Sequence, residues 1–174
     1  MGELHSLSKS LVVLFSYHHH NTEKIAKVFA EVLQGQIKSA LDTDPAEIDQ
    51  YDLIGFGSGI YGESFHKAML DLADKLPKVS GKNAFLFSTD GAPRGLLNDD
   101  HPMAIEQVRK NHRKIKEKLL SKGFMIVGEF NCGGWNTNSV LKLFGGLNKG
   151  RPNAEDLKKA EIFAQNLKQK FQSH

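Results

Sequence analysis

Cysteine is nearly missing: Cys132 is the only one in 174 residues. That excludes an internal disulfide and any multi-cysteine metal site. Long apolar runs are missing too, and none approaches the roughly 20 residues of a membrane-spanning helix. Residues 1–10, MGELHSLSKS, lack the apolar stretch of a secretory signal and read as a polar lead-in. A cytoplasmic protein is the expectation. There is no internal repeat, low-complexity tract or linker, so residues 11–174 are expected to form one domain around one core. No catalytic triad, paired carboxylate or P-loop spacing occurs.

Charge of one sign is scarce in one place where it matters. The segment Ser16-Tyr17-His18-His19-His20-Asn21-Thr22-Glu23 contains no lysine or arginine. Elsewhere charge is plentiful and uneven. Residues 1–87 hold 8 Lys/Arg and 11 Asp/Glu, whereas residues 88–174 hold 15 and 9. The first half carries an acidic group, Asp42, Asp44, Glu47, Asp49 and Asp52. The second carries the basic run Arg109, Lys110, Arg113, Lys114, Lys116 and Lys118. Such a run reads first as a solvated helix face, with an acidic docking partner as the sharper alternative. It lacks interleaved aromatics, which argues against nucleic-acid binding.

Strand and helix signals alternate along the chain. Residues 11–15 (LVVLF), 52–57 and 83–88 are short apolar runs of the kind buried on both faces of a sheet. A weak strand is expected near 36–40 and a last one at 124–130. Between them, Ile25, Val28, Phe29, Val32 and Leu33 recur at helical spacing, as do Phe65, Met69, Leu72 and Leu76. Ile105, Val108, His112, Ile115 and Leu119 form a third stripe, opened by His101-Pro102. Leu157, Ala160, Ala164, Leu167 and Phe171 form a fourth, with Asn153 as its cap. Asn21 is a candidate cap for the first helix. The alternation predicts an α/β protein with a parallel sheet covered on both faces. Residues 131–152, rich in Gly and Asn, form the longest irregular stretch.

In open α/β sheets a ligand sits beyond the carboxyl ends of the strands. Four loops of unusual composition occupy that edge, the last of them Asn131-Cys132-Gly133-Gly134-Trp135-Asn136. The Ser16–Glu23 loop offers hydroxyls, imidazoles and an amide at a helix start, where free N–H groups and the helix dipole favour an anion. Gly57-Ser58-Gly59-Ile60-Tyr61-Gly62 lets backbone approach a flat ligand, and Tyr61 can stack on a ring. Its formal match to the dinucleotide fingerprint is weak, because it does not follow the first strand. Ser88-Thr89-Asp90-Gly91 can bond the polar edge of a heterocycle. Three adjacent histidines invite a metal reading, but adjacent residues splay apart.

In that order the first three loops resemble those of the flavodoxin family. Leu11 to Phe15, Ser16 and Asn21-Thr22-Glu23 look like its opening strand and phosphate loop. Tyr51-Asp52-Leu53-Ile54-Gly55-Phe56-Gly57-Ser58-Gly59-Ile60-Tyr61 is similar to its second buried strand and ring loop. Phe87-Ser88-Thr89 with Gly91 resembles the third loop. The resemblance spans roughly residues 10–172. It implies a three-layer, doubly wound, five-stranded parallel sheet of order 2-1-3-4-5, with FMN as cofactor. It places the phosphate on Ser16, His18, His20, Asn21 and Thr22. The flavin ring would lie along Ser58, Gly59, Ile60, Tyr61 and Gly62, with Thr89, Asp90 and Gly91 at its polar edge. Trp135, from the long loop, could approach the ring's other side. The family pattern differs at His18-His19-His20, where a Thr and a Gly are usual in a loop one residue shorter.

The implied function is electron transfer between a redox partner protein, or a small-molecule donor or acceptor, and the bound flavin. The alternative is an FMN-dependent oxidoreductase of the NAD(P)H–quinone reductase or protoporphyrinogen dehydrogenase type, which Gly59-Ile60-Tyr61-Gly62 to Phe65-His66 also resembles. No nucleic acid and no membrane span are expected, and the oligomeric state is open.

Overall fold

A computed structural model of the chain describes residues 9–17, 19–91, 101–137 and 146–172. His18 lies outside the described residues. Five strands form one parallel sheet: β1 (Ser10–Phe15), β2 (Gln36–Ser39), β3 (Leu53–Gly59), β4 (Asn83–Asp90) and β5 (Met125–Gly133). Their spatial order is β2-β1-β3-β4-β5, as the family resemblance implied. Helices α1 (Asn21–Leu33), α2 (Lys67–Lys75), α3 (Pro102–Ser121) and α4 (Ala154–Gln172) cover the sheet. A 3-10 turn, Pro45–Gln50, links β2 to β3.

The central strands are buried on both sides, which their unbroken apolar runs dictate. Successive side chains feed alternate faces. Leu11, Val13, Ile54, Phe56 and Leu86 pack with Met69 and Leu72 of α2 and with Ile115 and Leu119 of α3. Val12, Leu14, Phe85 and Phe87 pack with Phe29 of α1 and with Ala160 and Ala164 of α4. Phe29 presents its ring edge-on to Phe85, Phe87 and Phe130, at 5.3, 5.0 and 5.5 Å.

Gly57 belongs to this packing. It pairs with Phe87 across β3 and β4, and a Cβ there would lie 2.0 Å from the Phe87 ring. The glycine makes room for a core phenylalanine. That accounts for one glycine of the fingerprint match without any dinucleotide.

Several sequence expectations shift at element ends. β3, β4 and β5 each run two or three residues beyond their apolar runs, through Ser58-Gly59, Thr89-Asp90 and Asn131–Gly133. These polar residues continue the ladder, with Gly59 opposite Thr89 and Asp90 opposite Gly133. On α3, Ile105 faces solvent, and the buried positions are Asn111, His112, Ile115 and Leu119. Asn153 caps α4 as expected: its Oδ1 accepts from Asp156 N–H, and the Asp156 carboxylate accepts from Asn153 N–H. Asn21 does not cap α1. His20 holds the cap position without a side-chain bond to the helix N–H groups, and the Asn21 amide is used elsewhere.

Candidate functional site

At the carboxyl edge of the sheet one cleft is lined by Ser16, Asn21, Thr22, Gly59, Ile60, Tyr61, Thr89, Asp90 and Gly91, together with Gly134, Trp135 and Asn136. Ten residues expected from sequence meet there, Trp135 among them. The cavity volume is about 60 Å³, room for a few waters. Among the described residues its lining carries one carboxylate, Asp90, and no lysine or arginine.

The floor is built by α1. Asn21 and Thr22 begin that helix and are buried, so its first free N–H groups and positive dipole end lie beside the cleft. Thr22 Oγ1 and Thr89 Oγ1 are 2.8 Å apart, which joins α1 to the end of β4. One hydroxyl hydrogen is used in that bond and the other remains to be donated. Asn21 Nδ2 donates to Trp135 O at 2.9 Å, which fixes the amide orientation and leaves Oδ1 as a buried acceptor without a partner. A buried acceptor of this kind calls for a hydrogen-bond donor from a ligand or a water. The approach of the chain is tight: a Cβ on Gly134 would sit 2.9 Å from the Asn21 amide nitrogen.

Two consecutive histidines shape the turn into α1. His19 and His20 have φ of 53° and 51°, the left-handed region that non-glycine residues seldom occupy. His19 has good reason to be there. Its ring stacks on Trp135 with centroids 4.1 Å apart, and Nε2 lies 2.8 Å from Thr137 Oγ1. His20 points away: its side chain is 71% exposed and Nδ1 pairs with Glu23 at 2.8 Å. His20 therefore does not line the cleft.

The opposite wall is a tight hairpin after β3. Tyr61 N–H donates to Ser64 O and Ser64 N–H donates back to Tyr61 O. Gly62 and Glu63 between them have φ of 56° and 59°, the two left-handed residues of a type I′ turn. Gly62 thus shapes the hairpin tip, and it is exposed rather than part of the lining. Ser58 is wholly buried, and its hydroxyl donates to Gly59 O and accepts from His66 N–H. It braces the wall from behind. Tyr61 lies over Gly59, whose Cβ would be 3.1 Å from its ring.

The third wall comes from the segment after β5, which the sequence placed at this edge as a loop and from which only Trp135 was expected to approach the ring. Gly134 N–H donates to Asp90 O, Trp135 N–H to Arg151 O, and Asn136 exchanges two backbone bonds with Leu147. Arg151 is in turn held by the wholly buried carboxylate of Asp156 at the start of α4. The signal available in sequence was the Gly-Gly-Trp-Asn run. What hid its role was that 131–133 continue a strand and deliver the next three residues to the cleft.

Behind the cleft, on the other face of β4, lies a polar group that sequence reasoning also missed, sealed at Ser88 and His112 and reaching the surface through Glu129 and Lys116. Ser88 Oγ is 2.7 Å from His112 Nε2, and His112 Nδ1 is 2.9 Å from Glu129 Oε2. Asn131 donates to Ser88 Oγ and Lys116 to Glu129. The His112 hydrogen bond, ahead of Lys116, holds the Glu129 carboxyl at about 2, against the upward push of burial. Although the order is that of a serine–histidine–acid relay, Ser88 is wholly buried and absent from the cleft, so it has no route to a substrate.

The charge runs are largely internal. Arg109 pairs with Glu106, Lys110 with Glu63, Lys116 with Glu129 and Lys118 with Asp74. The acidic group is used likewise. Asp44 and Glu47 form a capping box, Lys38 pairs with Glu47, and Asp52 accepts from Lys9 N–H. A solvated face explains the basic run better than a docking face. Among the described residues no cluster of three or more His, Cys, Asp or Glu could hold a metal, and no helix is long and apolar enough to cross a membrane.

Comparison with known proteins agrees with the topology. Residues 12–129 match the model of the flavodoxin domain. The chain belongs to the flavodoxin family. An uncharacterized protein of Methanocaldococcus jannaschii is 45% identical over 159 residues, covering 91% of this chain and 97% of that one. Among solved structures, a flavodoxin of Streptococcus pneumoniae TIGR4 superposes with a TM-score of 0.65 at 17% identity, covering 94% of this chain and 99% of that one. A flavodoxin from the domain Archaea gives 0.55 at 16%, covering 93% and 97%. At such identities the flavodoxin structures share the fold, and the function must be argued from the cleft.

Proposed function

We propose that the cleft holds FMN and that the protein is an electron-transfer flavoprotein. The observation that carries this reading is the floor of the cleft, where the start of α1 meets Asn21 Oδ1, a buried acceptor with no partner. Neutral N–H and O–H donors at a helix start suit a phosphate monoester. An unsatisfied buried acceptor beside them suits a hydroxyl of the sugar-like chain that joins phosphate to ring. One ligand presenting a phosphate and hydroxyls satisfies both.

The residues that would hold it are Ser16, Asn21 and Thr22 at the phosphate end. Gly59, Ile60 and Tyr61 would lie along the ring, with Thr89, Asp90 and Gly91 at its polar edge. Trp135 lines the same cleft from the third wall. When bound, FMN supplies reversible one- and two-electron chemistry. The chain's own part is to orient the ligand between Tyr61 and Trp135, to exclude water with the Ile60 and Gly59 wall, and to set the electrostatic surroundings. Among the described residues the lining holds one carboxylate, Asp90, and no Lys or Arg, a setting that disfavours added negative charge on the ligand. The partner would be a redox protein or a small-molecule electron donor or acceptor.

Reconstitution with FMN tests this reading. One equivalent bound, with a protein-perturbed visible spectrum and FMN identified on release, supports it. No uptake at micromolar FMN overturns it. Rapid consumption of NAD(P)H or quinone by the loaded protein alone would replace the carrier role with an oxidoreductase one.

A further inference from the structure

His66 belongs neither to the cleft lining nor to the core, yet three elements converge on it. Its ring stacks on Phe15 at the end of β1, with centroids 3.8 Å apart and planes within 6°. The Tyr61 ring meets it edge-on at 5.2 Å. Its Nδ1 accepts from Ala68 N–H at 3.1 Å and caps α2. Its own N–H donates to Ser58 Oγ, which in turn donates to Gly59 O. One imidazole thus ties the cap of a helix to the tyrosine wall of the cleft.

The cap fixes the tautomer. An Nδ1 that accepts a hydrogen bond carries no hydrogen, so the ring's proton sits on Nε2. Protonating Nδ1 converts the acceptor into a donor facing the Ala68 N–H, so the cap and the charged ring exclude each other. We propose that His66 is a pH-responsive positioning residue: its neutral ring holds Tyr61 in place at the cleft, and protonation releases the α2 cap and the tyrosine together.

Burial outweighs the neighbouring charges and favours the neutral form. Burial lowers the His66 pKa below its ordinary value, and Asp71, one turn along α2, opposes that shift. Asp71 is itself paired with Lys67. On the hairpin, Glu63 is paired with Lys110 of α3, and β1 presents the uncharged Phe15. His112 of α3 contacts Phe65, the residue before His66, edge-on at 5.1 Å. Because the pKa is lowered, the neutral arrangement is complete above the ordinary histidine value and is lost as pH falls through the lowered one.

The ligand arm rests on the FMN reading; the coupling of His66 to Tyr61 does not. Two measurements separate them. In the flavin-free protein, the His66 and Tyr61 ring resonances are followed by NMR from about pH 7.5 down to about pH 5. They should move with one shared midpoint, and in His66→Asn, where asparagine preserves the cap, the Tyr61 resonances should be flat. FMN affinity is then compared across the same range. The wild type should weaken about tenfold more than His66→Asn on acidification, the scale of one hydrogen bond lost. Titration of the phosphate itself occurs in both proteins and cancels. Tyr61→Ala should remove the extra weakening as well. Separate midpoints for His66 and Tyr61, or equal pH dependence in wild type and His66→Asn, overturn the proposal. Shared midpoints without FMN uptake uphold the coupling and overturn the flavin reading instead.

Discussion

Ser88 and Thr89 are neighbours at the end of β4, and strand alternation sends them to opposite sides. Ser88 faces α3 and enters a sealed group in which Ser88, His112, Glu129, Asn131 and Lys116 are bonded to one another. Thr89 faces α1 and enters the cleft, where its hydroxyl meets Thr22 and Asn21 keeps an acceptor unpaired. The two sides use the same kinds of residue. On one side the polar side chains bond one another, which makes a rigid anchor between β4, β5 and α3. On the other the satisfaction is left incomplete, which makes a binding site. The anchor holds the strand ends so that the cleft beside them keeps its shape.

The largest effect should come from breaking the sealed side. His112→Ala leaves Ser88 and the Glu129 carboxylate without their buried partner. It should cost about 3 kcal/mol of stability, or roughly 10 °C in melting temperature. FMN affinity of the molecules that remain folded should change far less. Urea unfolding alongside flavin titration checks the pair of outcomes; a loss confined to affinity would mean the two sides are not separate devices.

Acid should reach the same side. Glu129 has an ordinary carboxyl value of 4.5 when unfolded and about 2 when folded, chiefly through the His112 hydrogen bond. Its contribution is complete above about 4.5 and disappears as pH falls toward about 2, a loss on the order of 3 kcal/mol. Stability measured against pH should show that acid limb in the wild type. In Glu129→Gln the protein should start weaker at neutral pH and the limb should flatten.

The same contrast explains what could be read in the sequence. The five strands and four helices were legible because apolar runs and helical stripes are set by burial, which is periodic. The order 2-1-3-4-5 came from resemblance, since periodicity does not say which strands are neighbours. Asn21, Thr22, Tyr61 and Thr89 were legible as cleft-lining candidates because glycine and hydroxyl runs follow buried strands. Ser58 and Gly62 were expected along the ring, but neither lines the cleft, and their places as brace and hairpin tip depend on three-dimensional hydrogen bonds. The sealed side was not legible at all. His112 looked like one more member of an apolar stripe, and its partners lie 24 residues upstream and 17 downstream. Trp135 was visible as an aromatic, but its stacking on His19 required the chain after β5 to fold back over α1.

On the open side, Tyr61→Ala should loosen FMN by about 1–3 kcal/mol, the range for stacking on a base-like ring, and brighten the fluorescence of the bound flavin. The melting temperature of the flavin-free protein should barely move, because Tyr61 is only half-buried. Flavin titration and thermal unfolding of the same variant decide the matter. A drop in melting temperature with unchanged affinity would assign Tyr61 to the packing of the hairpin on His66 and remove it from the ring site.

The smallest effect is the most specific. Thr22 and Thr89 share one hydrogen bond across the cleft floor, and both are buried. Replacing either by valine keeps the shape and removes a hydroxyl. If the pair merely ties α1 to β4, each single change should cost stability alone, and the double change should cost no more than one of them. If the pair also presents a hydrogen to a phosphate, Thr22→Val should weaken FMN by about 1–2 kcal/mol, because a bond to a charged oxygen is lost. Thr89→Val should act through its neighbour, by removing the partner that orients the Thr22 hydroxyl. A double-mutant cycle on FMN affinity should therefore give a coupling of about 0.5–1 kcal/mol. The same cycle with riboflavin, which has no phosphate, should give none. Equal coupling for the two ligands would place the Thr22–Thr89 bond in the scaffold, and the phosphate contacts of the floor would then rest on the N–H groups of α1 alone.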